Sequence, residues 1–212
     1  MGSLGRVVVT GGAGFIGHHT VAALLAEGGQ VLVIDDLRHP CPLGAPAAAE
    51  LVVAEVGSAR AAEAINGFAP DAVLHLAAQA GVSRSRRDPA GDALANVVGT
   101  VGLIKASLDA GVLRFVMAST GGAIYGAATR LPTPETAAAR PLSPYGAAKL
   151  ACEGYLGMFE RSHGLRPLAL RYGNVYGPLQ DGTGEAGVVA ITCTRLLDGE
   201  APVMRGDGGQ TR

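Results

Sequence analysis

An apolar run, Arg6-Val7-Val8-Val9-Thr10, breaks into Gly11-Gly12-Ala13-Gly14-Phe15-Ile16-Gly17 and resumes as an apolar-periodic stretch to Glu27. That strand–loop–helix pattern constrains the fold more than any other feature of the chain. Gly11, Gly14 and Gly17 have GxxGxxG spacing, and Gly12, Gly14 and Gly17 also satisfy GxGxxG. Between a strand and a helix, such a loop lets backbone N–H groups and the helix N-terminus hold a pyrophosphate that side chains would exclude. Gly17, one turn into the helix, allows helix and strand to approach closely. An ordinary glycine-rich turn could carry the same spacing. Against it stands Asp35, which follows the second apolar run, Val31-Leu32-Val33-Ile34, 18 residues beyond Gly17. A carboxylate there accepts both adenosine ribose hydroxyls and repels a 2′-phosphate, which favours NAD over NADP. Two observations oppose that reading: the Asp35-Asp36 pair also suits a plain turn, and Arg38 is what a 2′-phosphate would want.

Further strand-like runs follow at Leu51–Ala54, Ala72–Leu76, Leu113–Ala118 and Leu168–Arg171, and Asp92–Ala110 has helical spacing with Gly111 as its stop. Strands that are apolar throughout, rather than alternating, belong to parallel sheets covered on both faces. Their alternation with helices predicts an α/β fold with a doubly wound parallel sheet, whose ligands bind at the carboxyl ends of the strands. Residues 1–171 are expected to form the dinucleotide-binding domain with its catalytic residues, and 172–212 the beginning of a substrate-binding region. Proline-rich loops are expected at His39–Pro46 and Thr129–Pro144.

Composition narrows the partners. With 48% hydrophobic and 17% charged residues the chain can bury a sizeable core, and a net charge of −1 draws it to neither nucleic acid nor an anionic membrane. No run approaches the roughly 18 apolar residues of a membrane span, and the start carries no signal-peptide region. Cys41, Cys152 and Cys193 are scattered, without disulfide or metal-ligand spacing. These features predict a soluble cytoplasmic protein with no metal.

Ser143-Pro144-Tyr145-Gly146-Ala147-Ala148-Lys149 opens a helix expected to run to about Ser162. Tyr145 and Lys149, i and i+4, share one face about 6 Å apart along the axis. A phenol ionises near pH ~10, too high for a base at neutral pH. A lysine ammonium and the positive ring of an oxidised nicotinamide would both favour phenolate. Such pairs also decorate solvated helices, but the chain has only two lysines, Lys105 and Lys149, and places one here. At the end of the fifth strand, Ser119 and Thr120 both offer a hydroxyl to the cleft, Thr120 the better placed. A turn in which the hydroxyl bonds its own backbone is the alternative.

Together these residues resemble the extended short-chain dehydrogenase/reductases of the NAD-dependent epimerase/dehydratase family. The resemblance extends over His75-Leu76-Ala77-Ala78-Gln79-Ala80-Gly81-Val82 and Asn96-Val97-Val98-Gly99-Thr100. It continues in Arg171-Tyr172-Gly173-Asn174-Val175-Tyr176-Gly177-Pro178 and Gly184-Glu185-Ala186-Gly187-Val188-Val189, which look most like bacterial UDP-glucose 4-epimerases. It implies that Tyr145 is the base, Lys149 orients the nicotinamide ribose and Thr120 binds the reacting oxygen. It further implies that Gly11, Gly14, Phe15, Ile16, Gly17, Asp35, Ala77, Ala78 and Asn96 surround NAD, and that Asn174 contacts the nucleotide sugar's diphosphate. A homodimer through the helices near Asn96–Ala110 and Tyr145–Ser162 is expected on the same ground.

The chain departs from that pattern in three places. Ala54-Glu55-Val56 stands where the family has Gly-Asp-Ile or Gly-Asp-Val, so Glu55 and Val56 are expected to supply the adenine contact through a longer acid. Arg38-His39-Pro40 replaces a small polar loop. The sequence ends at Gly206–Arg212, where the family continues into a C-terminal portion completing the sugar site, so the chain reads as truncated and its own activity is left open. The expected reaction is reversible 4-epimerisation of a UDP-hexose through a 4-keto intermediate. A 4,6-dehydratase needs an acid and a base after Thr120, where Gly121-Gly122 stands. A 4-reductase, a uronate decarboxylase and a non-catalytic NAD-binding fragment stay open.

Overall fold

Val7, Val8 and Val9 are nearly or wholly buried because both neighbours of their strand pair with it in parallel. The computed structural model describes residues 5–127, 130–183, 187–203 and 206–208. Its elements run β1 (Arg6–Thr10), α1 (Phe15–Ala26), β2 (Gln30–Asp35), β3 (Glu50–Val53), α2 (Ala59–Phe68), β4 (Ala72–His75), α3 (Val82–Arg87) and α4 (Pro89–Ala93). A π-helical turn (Leu94–Val98) follows, then α5 (Gly99–Asp109), β5 (Arg114–Thr120), α6 (Gly121–Ile124), α7 (Pro144–His163), β6 (Arg166–Tyr172) and α8 (Val188–Leu197). The sheet order is β3-β2-β1-β4-β5-β6, all parallel. This is the doubly wound α/β architecture that the strand pattern predicts.

Side-chain alternation along each strand feeds two cores. Val7 and Val9 of β1 and Val31 and Val33 of β2 pack with Val21 of α1 on one face. Val8, Leu32, Ile34, Val73, Phe115 and Met117 face the other way, against Ile65 of α2, Leu103 and Ile104 of α5 and Leu156 and Phe159 of α7. The edge strand β3 corrects the expectation of burial on both faces. Its Leu51 and Val53 are 42% and 46% exposed. An edge strand keeps its hydrogen-bonded register without being covered, so apolarity alone does not report burial there.

The helix read over Asp92–Ala110 begins earlier, at Pro89, with Asp88 capping Gly91 N–H, and one π turn interrupts it where Gly99 N–H reaches back to the Leu94 carbonyl. An Asp-Pro pair at a helix start is a legible signal; the π turn has none in the residues. Gly111 does end α5, at φ +77°. Strand β5 extends to Thr120, beyond the Ala118 limit read from apolarity. Helices α2, α3, α6 and α8 add to the elements expected from the residues. Among the described residues no helix is long and apolar enough to cross a membrane, and no group of three potential ligands could hold a metal ion.

Candidate active site

The carboxyl ends of β1, β4, β5 and β6 (Thr10, His75, Thr120 and Tyr172) lie along one edge of the sheet, and the strand order turns back between β1 and β4. Such a switch point is where open α/β sheets bind ligands. The glycines there do different work. A Cβ on Gly11, at φ +70°, would lie 2.6 Å from the Ala77 nitrogen, and one on Gly17 would lie 2.0 Å from the Gly11 carbonyl oxygen. One on Gly12 would strike the Val33 methyls at 2.8 Å. These three seal the loop against sheet and helix. A Cβ on Gly14 would meet only the Gly11 oxygen, at 3.4 Å, so the outer side of the loop stays clear. Helix α1 starts at that point with no side-chain cap and no acid in its first turn. A positive helix end left to an external anion fits a pyrophosphate. Phe15 and Ile16 of the same turn are half-buried and, with His19, Thr20 and Val175–Pro178, line a cavity of about 340 Å³.

Asp35 ends β2 as expected and also performs the turn role that was its alternative. Its Oδ2 accepts from Ala13 N–H at 3.0 Å and its Oδ1 from Leu37 N–H at 2.9 Å. A carboxylate has about four lone-pair positions, so capacity remains for a ribose. Glu55, expected to contact adenine, meets Arg38 in the protein alone. It is exposed, and its carboxylate lies 3.2 Å from Arg38, whose guanidinium also holds Asp36 at 2.5 Å. Val56 is half-buried and turned toward α5, where a Cβ on Gly99 would come within 3.1 Å of its methyl. Ala77 presses its backbone on Gly11 and donates its N–H to Thr10 Oγ1 at 3.3 Å, while Ala78 follows it in the loop, exposed.

Helix α7 is started by Ser143, which accepts from Gly146 N–H, and by Pro144 in the first turn. Lys149 is 3% exposed; its Nζ donates to the Ala118 carbonyl at 2.9 Å and lies 5.9 Å from the centre of the Tyr145 ring. The chain's own residues do not lower the Tyr145 phenol as the lysine argument predicts. Burial pushes it up, and the Asp92 carboxylate adds to that. Burial likewise pushes the Lys149 ammonium down, opposed by Cys152 and Asp92.

Alternation along β5 separates the two candidate hydroxyls. Ser119 is 4% exposed and donates to Glu153 Oε1 at 2.5 Å, away from the cleft. Thr120 is half-buried and caps α6 by accepting from Ala123 N–H at 3.2 Å; among the described residues nothing accepts its proton. Glu153 is part of a network the sequence did not suggest. Arg171 grips it through Nε and Nη2 (2.6 Å for the latter) and reaches Tyr125 Oη at 2.7 Å, joining α7, β6 and the segment after β5. Burial acts to raise the Glu153 carboxyl, and the Arg171 and Ser119 bonds outweigh it.

Beneath the loop after β4 runs a buried chain of hydrogen bonds. Thr100 Oγ1 donates to the Asn96 carbonyl at 2.5 Å, so it accepts from His75 Nε2–H at 2.8 Å. His75 Nδ1 is then left to accept from Thr10 Oγ1–H at 2.7 Å. Burial, with Lys149 nearby, lowers the imidazole to about 3, so this histidine is neutral. Asn96, expected beside the cofactor, is hydrogen-bonded to the loop after β4. It is 3% exposed, and its amide is spent on the loop, accepting from Gln79 N–H and donating to Gln79 O, each at 2.9 Å, and donating to Asp92 Oδ1 at 3.0 Å. It shapes the loop from behind. Asn174 is exposed beside the start of α8, where a Cβ on Gly187 would lie 3.0 Å from its Oδ1. Gly184-Glu185-Ala186, part of the same resemblance, lie outside the described residues.

Comparison with known proteins agrees with this arrangement. The model of the NAD dependent epimerase/dehydratase family matches residues 7–212. The chain is 43% identical to the UDP-glucose 4-epimerase of Mycolicibacterium smegmatis over 212 residues, covering 98% of this chain and 68% of that protein. The solved UDP-glucose 4-epimerase of Thermotoga maritima with UDP-glucose superimposes with a TM-score of 0.92 at 45% identity, covering 96% of this chain and 66% of that one. That of Thermus thermophilus, in complex with NAD, gives 0.88 at 46% identity, covering 92% and 63%. The chain thus spans about two thirds of the length of these relatives. With a glycine loop, a strand-end hydroxyl and a tyrosine–lysine pair at one sheet edge, the chain belongs to the NAD dependent epimerase/dehydratase family.

Proposed function

We propose that residues 1–171 bind NAD and carry the catalysis of a UDP-glucose/UDP-galactose 4-epimerase, and that 172–212 begin its nucleotide-sugar site. The observation that carries this reading is the buried Lys149, tied to the end of β5 and lying under Tyr145, on the sheet edge that holds the glycine loop. Gly11–Gly17, Asp35, Ala77 and Ala78 would hold NAD, with Val56 and Asn96 supporting them from behind. Arg38, occupied by Asp36 and Glu55, leaves acids facing the adenosine ribose, which disfavours a 2′-phosphate. When bound, NAD supplies the hydride acceptor and donor.

The chain's residues manage the proton and the geometry. The Tyr145 phenolate oxygen takes the proton of the sugar 4-hydroxyl as that carbon is oxidised, and returns it once the 4-keto sugar has presented its other face. Thr120 Oγ1–H donates to the reacting oxygen and holds it beside Tyr145. Lys149, fixed by the Ala118 carbonyl, holds the nicotinamide ribose and sets its positive charge next to the phenolate. Asn174, at the start of α8, accommodates the diphosphate. Gly121 and Gly122 transfer no proton, so the keto sugar is neither protonated nor dehydrated from that side. Leu94 (64% exposed), Val98 (59%), Tyr155 (40%) and Met158 (36%), on the π turn and on α7, offer an apolar face to a second copy of the chain. The unpaired Cys41, Cys152 and Cys193 suit a reducing cytoplasm.

The test is conversion of UDP-galactose to UDP-glucose with NAD+ and without net NADH. Tyr145→Phe is expected to lower turnover about 10³-fold while NAD binding, followed by calorimetry, stays nearly unchanged. Accumulating NADH, or a variant as fast as the parent, would refute the reading.

A further inference from the structure

Ser119 and Arg171 are register partners on β5 and β6, and both side chains converge on one carboxylate of α7. Ser119 donates to Glu153 Oε1 at 2.5 Å. Arg171 donates through Nε to the same oxygen at 3.0 Å and through Nη2 to Oε2 at 2.6 Å. Donors on both oxygens suit a carboxylate, because an amide would set its own NH2 against one of them. The pair is largely withdrawn from water, with 13% of the Glu153 side chain and 24% of the Arg171 side chain exposed. Apolar side chains in place of a buried ion pair are often as stable or more so. Stability alone is therefore a weak reason for this one.

Its place in the fold supplies a stronger reason. One turn before Glu153, Lys149 donates to the Ala118 carbonyl at 2.9 Å. Successive turns of α7 are thus tied to successive residues of β5, Ala118 and Ser119, and the next residue of that strand is Thr120. Tyr145 stands one turn before Lys149. Beside it the buried residues of α7 are the small Gly146 and Ala148, whereas Leu156 and Phe159 lie beyond Glu153. Small side chains interlock little, so the polar ties set how the catalytic end of the helix lies against the strand. Arg171 extends the tie to the chain between them. Its Nη1 donates to Tyr125 Oη at 2.7 Å and to the Glu135 carbonyl at 3.1 Å.

We infer that Glu153 is a positioning residue: with Ser119 and Arg171 it clamps α7 to the end of β5 and so fixes the Tyr145 phenol relative to the Thr120 hydroxyl. This inference rests on the roles of those two groups in the proposed reaction. The clamp governs the rate of the chemical step, which depends on their alignment, and leaves the binding of NAD and sugar nucleotide alone.

The test begins with Ser119→Ala, which cuts the tie to β5 and keeps the pair of Glu153 with Arg171. The kcat for UDP-galactose with NAD+ is expected to fall about tenfold, while KM and the NAD dissociation constant stay unchanged. Ser119→Thr keeps the hydroxyl and is expected to restore kcat. Ser107→Ala removes an equally buried hydroxyl bonded within α5 and is expected to leave kcat unchanged. Amide exchange of residues 145–149 is followed in parallel without ligands; it should be faster in Ser119→Ala and parental in Ser119→Thr. A parental kcat or parental exchange in a folded Ser119→Ala chain overturns the inference, as does an equal loss in Ser107→Ala or a loss confined to KM. Should Ser119→Ala fail to fold, Glu153→Gln is measured in its place; if neither folds, the clamp is structural and the inference falls. The exchange needs no substrate. Faster exchange in a chain that converts no UDP-galactose would sink the epimerase reading alone, and conversion with parental exchange would sink this one alone.

Discussion

The first strand and the last helix of the structure are made in opposite ways. In β1, Val8 and Val9 are wholly buried, and the loop that follows is closed at Gly11 and Gly17 by backbone contacts too tight for a Cβ. In α8 no residue is buried; Val188 is 68% exposed and Leu197 88%. The segment leading to it is held by single hydrogen bonds instead, such as His19 Nε2–H to the Pro178 carbonyl at 2.9 Å and Gln180 to the Val175 carbonyl at 3.3 Å. The cofactor side is thus positioned by packing, which tolerates no change of volume. The segment before α8 rests on those hydrogen bonds.

Acid breaks the packed region first, and most strongly. His75 has its imidazole lowered from the ordinary 6.5 to about 3. The unfolded chain takes up a proton below about 6.5 and the folded one only near 3. The stability contributed by this site is therefore complete above the upper value and is lost as pH falls through that window. A shift of this size corresponds to about 5 kcal/mol at the lower limit. Urea midpoints measured from pH 7 downward should fall steeply for the parent and more gently for His75→Gln; equal slopes would remove His75 from the account.

Phe115→Ala empties a wholly buried position between β5 and the helices, and should cost about 4 kcal/mol by denaturant unfolding. Asn174→Ala should act on the other region only. If Asn174 holds the diphosphate as proposed, losing that hydrogen bond raises the KM for UDP-galactose about tenfold while the NAD dissociation constant stays the same. A matching loss of NAD affinity would mean that the two regions are coupled. The smallest effect is expected of Leu197→Ser, within about 0.5 kcal/mol. A larger loss would show that α8 is covered in solution.

The same contrast governs how much can be read from the residues. The glycine loop, Asp35 after β2 and the Tyr145–Lys149 spacing are short patterns whose physics is local, and each stands where the pattern places it. The meeting of Glu55 with Arg38 is not legible in the residues, because the two lie on different loops. The hydrogen bonding of Asn96 is not legible either, because its amide meets Gln79 17 residues away.

What the sequence by itself determined is therefore the succession of strands, the doubly wound class, the glycine loop, the strand-end hydroxyls and the tyrosine–lysine pair. Those follow from periodicity and from backbone demands that act within a few residues. Tertiary structure decided which hydroxyl faces the cleft, because strand alternation turns Ser119 to Glu153, 34 residues on, and leaves Thr120 at the site. It also decided the charges, joining His75 to Thr10 across 65 residues and Glu153 to Arg171 across 18. Burial and long-range pairing control ionisation, and neither is encoded in any one stretch of chain.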